Sequence, residues 1–103
     1  MSETPPASQF DTALKALAKR QRRVVLTELL HCESLRPRDI ARRTGGPEPT
    51  LLRHNDLPRL TDMGYIEWDD ETELITRGPK FDEIEPLLEL IVDHGDELPP
   101  DWI

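Results

Sequence analysis

The chain is expected to fold as one mainly α-helical domain that carries a two-stranded β-hairpin. Three observations lead there. Apolar residues recur at helical spacing over most of residues 10–63, the pattern switches to strand formers after Gly64, and a further helical stripe follows Pro79. A length of 103 residues suits a single core.

Taken in order, residues 1–9 are expected to be a flexible N-terminal tail, with two prolines among small polar residues. The domain proper spans 10–94. Phe10, Leu14, Leu17 and Ala18 form the first apolar stripe, with Asp11 or Thr12 as its cap. Val24, Val25, Leu29 and Cys32 form a second, after the basic cluster Lys19-Arg20-Gln21-Arg22-Arg23. A third helix runs from Pro37 to about Arg43, directs Ile40 and Ala41 inward and stops at Gly45-Gly46. Pro47-Glu48-Pro49 makes a stiff turn. The fourth helix covers about Thr50 to Met63, with Leu51, Leu52, Leu57, Leu60 and Met63 apolar. Pro58 either kinks it or forces a restart capped by Asn55 or Asp56.

Tyr65 to Trp68 and Leu74 to Thr76 read as the two strands, joined by the turn formers Asp69 to Thr72. Gly78-Pro79 closes the hairpin. A C-terminal helix (about 79–94) bears Phe81, Ile84, Leu87, Leu88 and Ile91, becomes regular near Ile84 or Glu85 because of Pro86, and stops at Gly95. Residues 95–103 form a second tail. Helices followed directly by a hairpin make a winged helix-turn-helix. Ala41, Gly45 and Leu51 support the tight helix–turn–helix: a small residue at the crossing, a glycine in the turn, and a leucine that packs back.

The stretch LLRHNDLPRLTDMGYIEWDDETELI (51–75) is similar to haloarchaeal winged-helix proteins, distant relatives of ArsR-like repressors. It carries their Leu-x-His-x-x-Leu-Pro-x-Leu pattern and following glycine at Leu52, His54, Leu57, Pro58, Leu60 and Gly64. GPKFDEIEPLLELIVDH (78–94) resembles their closing helix. The likeness covers about residues 10–94. It implies a winged-helix fold and a role in transcriptional regulation. Arg53, Asn55 and Asp56 stand where further histidines or apolar residues are common in that family.

Charge refines the expectation. The net charge is −8, and ten arginines outnumber three lysines, a balance that resembles proteins of salt-loving archaea. Residues 1–60 hold 11 basic and 7 acidic groups, whereas residues 61–103 hold 2 and 14. A basic half on an acidic chain keeps nucleic-acid binding open. If the fourth helix is the recognition helix, Thr50, Arg53 and His54 face base edges, with Arg53 suited to both guanine acceptors. Arg38, Arg42 and Arg43 on the third helix then touch phosphates. Lys19, Arg20, Arg22 and Arg23 meet either anions or carboxylates of the chain itself. Asp56 reads as a cap or an ion-pair partner.

The acidic turn Asp69, Asp70, Glu71 and Glu73, with Arg77 the nearby cation, suits a structural wing or a protein partner better than a phosphate backbone. The excess apolar surface around Ile84, Leu87, Leu88 and Ile91 suggests a homodimer. His31, Cys32 and His94 lack metal-ligand spacing, so no metal or cofactor is expected. Nor does any nucleophile–base pair or phosphate loop suggest an enzyme. No apolar run approaches the ~20 residues of a membrane span, and no signal peptide is seen, so a cytoplasmic protein is expected. The expectation is a dimeric DNA-binding regulator. An adaptor that binds proteins through the acidic wing is the alternative.

Overall fold

The structure, a computed structural model, describes residues 7–44 and 49–99, with side chains from 9–42 and 49–99. It is mainly helical, with a small three-stranded antiparallel sheet. Gly45-Gly46, the Pro47-Glu48 part of the expected turn, and Pro100 to Trp102 lie outside the described residues.

Helix α1 (Ala7–Ala16) begins earlier than the Asp11 or Thr12 cap would place it. Its buried face is Ala13, Ala16 and Leu17, while Phe10 and Leu14 are 47% and 49% exposed. Of the expected stripe Phe10, Leu14, Leu17 and Ala18, only Leu17 is therefore buried. Helix α2 (Arg20–His31) is the central element and buries Val24, Val25, Leu26 and Leu29.

Three arginines tie the helix ends together. Arg22 donates from Nε to the Ala16 carbonyl (3.1 Å) and from Nη2 to that of Lys15 (2.7 Å), and Arg23 Nη1 donates to that of Leu17 (2.8 Å). These carbonyls close α1, where the helix has acceptors but no donors of its own, and where positive charge is favoured. Arg77 does the same for α2, from Nε to Leu29 (2.8 Å) and from Nη2 to Leu30 (3.2 Å), with its guanidinium 5.1 Å from the Phe81 ring centre. Arg22 and Arg23 are thus internal, and Arg22 meets Asp56 as its carboxylate.

After β1 (Ser34–Leu35) comes α3 (Pro37–Thr44), with Ile40 fully buried. A rod follows in three consecutive pieces: α4 (Pro49–Leu51), a π-helical turn (Leu52–Asp56) and α5 (Leu57–Asp62). The π turn resolves the problem of Pro58. The Leu57 N–H bonds back to the Leu52 carbonyl, five residues earlier, and the proline occupies the second position of α5. The widened turn absorbs the ring that would otherwise strike the preceding turn, so the backbone stays helical at Asp56 and Leu57. Neither Asn55 nor Asp56 restarts a helix, and Asp56 makes no capping hydrogen bond. Leu52, Leu57 and Leu60 are buried, whereas Leu51, expected to pack back on Ala41, is 50% exposed.

The rod ends at Gly64, whose φ of +85° is left-handed. Its N–H bonds to the Thr61 carbonyl (3.0 Å) and that of Tyr65 to Leu60 (3.2 Å), the paired closure typical of a glycine-terminated helix. The hairpin follows at once, as β2 (Ile66–Asp69) and β3 (Leu74–Arg77). Ile66 pairs with Arg77 and Asp69 with Leu74. The sheet order is β1-β3-β2, because Ser34 and Leu35 pair with Thr76 and Ile75. The hairpin was expected and the third strand was not. Gly78 closes the base, where a side chain would meet the Gly64 carbonyl oxygen at 2.5 Å.

Helix α6 (Phe81–Asp93) is helical from Phe81, earlier than Pro86 suggested. Phe81, Ile84 and Leu88 pack into the core. No helix among the described residues is long and apolar enough to cross a membrane.

Candidate nucleic-acid interface

Arg38 and Arg42 stand four residues apart on α3 and so share a side of that helix. Arg42 is exposed, and the Arg38 side chain is 63% exposed. Thr50, Arg53 and His54 are three and four residues apart on the rod. Thr50 and His54 are exposed, and Arg53 is partly so, at 37% of its side chain. The apolar residues Leu52, Leu57 and Leu60 turn the opposite side of the rod into the core, which leaves the polar side outward. Arg43 lies in α3, with its side chain outside the described set.

Arg38 and Arg53 come from different helices and meet at one carboxylate. Glu73 Oε2 is 3.4 Å from Arg38 Nη2, and Glu73 Oε1 accepts from Arg53 Nη2. Glu73 ends the hairpin turn with φ of +62°, in the left-handed region. Arg36 joins the same turn from the start of α3, with Nε donating to the Thr72 carbonyl (3.3 Å). The far side of the turn is held by Asp69, whose Oδ1 accepts from the Glu71 N–H (2.9 Å). Three arginines thus hold the hairpin turn against α3 and the rod. Arg38, expected at phosphates, is thereby paired within the chain. Glu73 was missed as the arginines' partner because only the path of the turn brings it to them.

Arg53 Nε and Trp68 Nε1 are buried and find no acceptor among the described residues. The Arg53 guanidinium is therefore only partly satisfied where it lies.

Behind the rod, Arg22 Nη1 is 3.6 Å from Asp56 Oδ1, with both side chains buried. Burial pushes the Asp56 carboxyl above its ordinary value, against the pull of Arg22, Lys19 and Arg59. Burial also raises the Tyr65 hydroxyl, with Glu83 adding to it, and lowers Arg23, with Arg20 adding to that. These groups support the rod and α2 and do not face outward.

The residues expected to make a dimer divide. Ile84 and Leu88 are fully buried in the chain's own core, so neither can face a second copy. The reason is that α6 packs against α2 through its Phe81–Ile84–Leu88 stripe. Leu87 and Ile91 are partly buried at the edge of that core. The exposed apolar residues of α6 are Leu90 (56%) and Val92 (38%).

His94 Nδ1 lies 3.2 Å from Glu97, and Cys32 is half-buried beside the core. Among the described residues no group of three or more His, Cys, Asp or Glu side chains is arranged to hold a metal ion. The outer face of the hairpin, with Glu67, Asp69 and Asp70 around Leu74 and Thr76, forms a shallow acidic depression.

In comparisons with known proteins, no family model and no curated protein matches this chain.

Proposed function

We propose that this chain is a winged-helix DNA-binding protein that regulates transcription as a homodimer. In this reading α3 positions the protein on the phosphate backbone, the rod from α4 to α5 is the recognition helix, and β2–β3 is the wing. The observation that carries it is the convergence of Arg38 and Arg53 on one outward face, together with exposed Arg42, Thr50 and His54. Two successive helices, with the second followed directly by a hairpin, present polar residues in the way that major-groove readers do. Arg53 supplies the planar fork that pairs with guanine N7 and O6, and Arg38, Arg42 and Arg43 supply phosphate contacts. Selection of bound duplexes from a random-sequence pool, followed by sequencing, tests this. An enriched motif with a preferred guanine supports it, and recovery of the input pool overturns it.

A second reading has its own support in the acidic outer face of the hairpin. It would suit a basic protein segment rather than DNA, and the chain would then act as an adaptor. A second copy, in the regulator reading, would be met through Leu87, Leu90 and Ile91, three and four residues apart on α6.

A further inference from the structure

We propose that Glu73 is an internal counter-ion that sets how strongly, and with what salt dependence, this protein binds duplex DNA. The inference rests on the DNA-binding reading and deepens it.

Glu73 holds Arg38 of α3 and Arg53 of the rod, two of the arginines on that side. Its carboxylate spans both, one oxygen to each guanidinium. It is placed there by a left-handed backbone at the end of the turn and by the Arg36–Thr72 hydrogen bond beside it. A non-glycine residue takes that conformation at a cost, so the surrounding contacts must hold it. Meanwhile Arg53 keeps a buried Nε–H without an acceptor among the described residues. An incoming phosphate or guanine edge would compete with Glu73 for the Arg38 and Arg53 Nη groups, so it must first displace the carboxylate. Two negative groups cannot share the fork without strong repulsion.

The consequence is an exchange rather than a simple capture. Arginines on a free surface release condensed cations from DNA when they bind phosphate, and affinity falls steeply with salt. Here the displaced Glu73 remains near the DNA and takes up a cation from solution. The net release drops by about one ion, which flattens the salt dependence. The exchange also lowers affinity for any duplex, so weak non-specific contacts suffer first.

The test is fluorescence anisotropy of the full chain with a labelled mixed-sequence duplex, across about 0.1 to 1 M potassium chloride. Glu73→Gln keeps the size of the side chain and removes the charge. It is expected to bind about fivefold to tenfold tighter at the low end, with a log–log salt slope steeper by about one. Glu73→Asn, which suits the left-handed backbone, should do the same. Glu71→Gln removes a like charge from the same turn and should change affinity less than about twofold. In an Arg38→Ala/Arg53→Ala background, Glu73→Gln should bring no gain. If wild type binds and Glu73→Gln binds no tighter, the inference is overturned while the DNA reading stands. An equal gain from Glu71→Gln, or one that persists without the two arginines, also overturns it, since bulk charge would then explain the effect. If no variant binds duplex at any salt, the DNA reading falls and the inference falls with it.

Discussion

Arg22 and Asp56 form the one ion pair, among the described residues, with both side chains less than a tenth exposed, with Nη1 3.6 Å from Oδ1. Arg22 comes from the start of α2 and Asp56 from the end of the π turn, so the pair joins the helix that organises the core to the rod. Arg22 also closes α1 through Ala16 and Lys15. One guanidinium therefore connects three elements.

Removing it should be costly. Arg22→Met keeps much of the apolar stem but leaves two carbonyls and a buried carboxylate without their donor. We expect a loss of about 3 kcal/mol, the order found when one partner of a buried pair is deleted. Urea unfolding of the two proteins measures it. A loss under about 1 kcal/mol would show that water replaces the guanidinium readily.

Asp56 should behave in the opposite sense. Its folded pKa is raised, mainly by burial, above the ordinary 3.8. A raised carboxyl pKa means that the folded state binds the proton more tightly than the unfolded one. The stability it contributes is present below the ordinary value and is lost as pH rises through the folded value. Asp56→Asn cannot lose that contribution, so its stability relative to wild type should rise between pH 4 and pH 7. Urea midpoints at several pH values check this. A constant difference would mean that Arg22 offsets the burial cost.

The two apolar faces of α6 should separate experimentally. Leu88 is wholly buried, and Leu88→Ala should cost about 2–5 kcal/mol of stability with no direct effect on association. Leu90 is exposed, and Leu90→Glu should leave the stability of the single chain nearly unchanged, apart from what dimerisation itself adds to wild type. If the homodimer forms through α6, sedimentation should give about twice 11.9 kDa for wild type and a monomer for Leu90→Glu. A monomeric wild type at micromolar concentration in high salt would remove this interface.

Arg53 and Arg42 should affect DNA binding differently. Arg53→Ala is expected to cost about 1–3 kcal/mol on a selected site and to relax preference at one base position. Arg42→Ala should weaken all duplexes alike and reduce the salt slope by about one. Anisotropy with selected and mixed-sequence duplexes compares them. An Arg53→Ala protein with unchanged affinity and preference would show that the rod is not the reader.

Salt should stabilise the fold. Residues 61–103 carry fourteen acidic and two basic groups, and their mutual repulsion is screened as the Debye length falls from ~10 Å at 0.1 M to ~3 Å at 1 M. Thermal melts in potassium chloride should rise with concentration. A melting temperature that is the same in dilute buffer and molar salt would leave the acidic half without an adaptive role.

The helices, the hairpin and the long apolar stripes were legible in the residues themselves, because periodicity and turn chemistry are local. The change from helical to alternating spacing after Gly64 marks the hairpin. The α6 stripe does not say which of its residues are internal, and Ile84 and Leu88, expected at a dimer surface, are fully buried. Other features needed the tertiary structure. Two residues, Ser34 and Leu35, are too few to show an alternation, and they form a strand only because the edge of β3 is there to pair with them. Phe10 and Leu14 have the spacing of a core stripe, but the face of α1 that turns inward carries Ala13 and Ala16 instead. Pro58 left two local outcomes open, and packing of Leu52 and Leu57 into one core kept the chain helical through a π turn. The charges depended most on the fold. Electrostatic partners are chosen by distance in space, so nothing in the local sequence pairs Arg22 with Asp56, Arg77 with the end of α2, or Glu73 with Arg38 and Arg53. Composition determined that the chain is acidic and divided in charge. Only the folded arrangement decided which arginines are consumed inside it, which remain at the surface, and that Arg38 and Arg53 share a single glutamate.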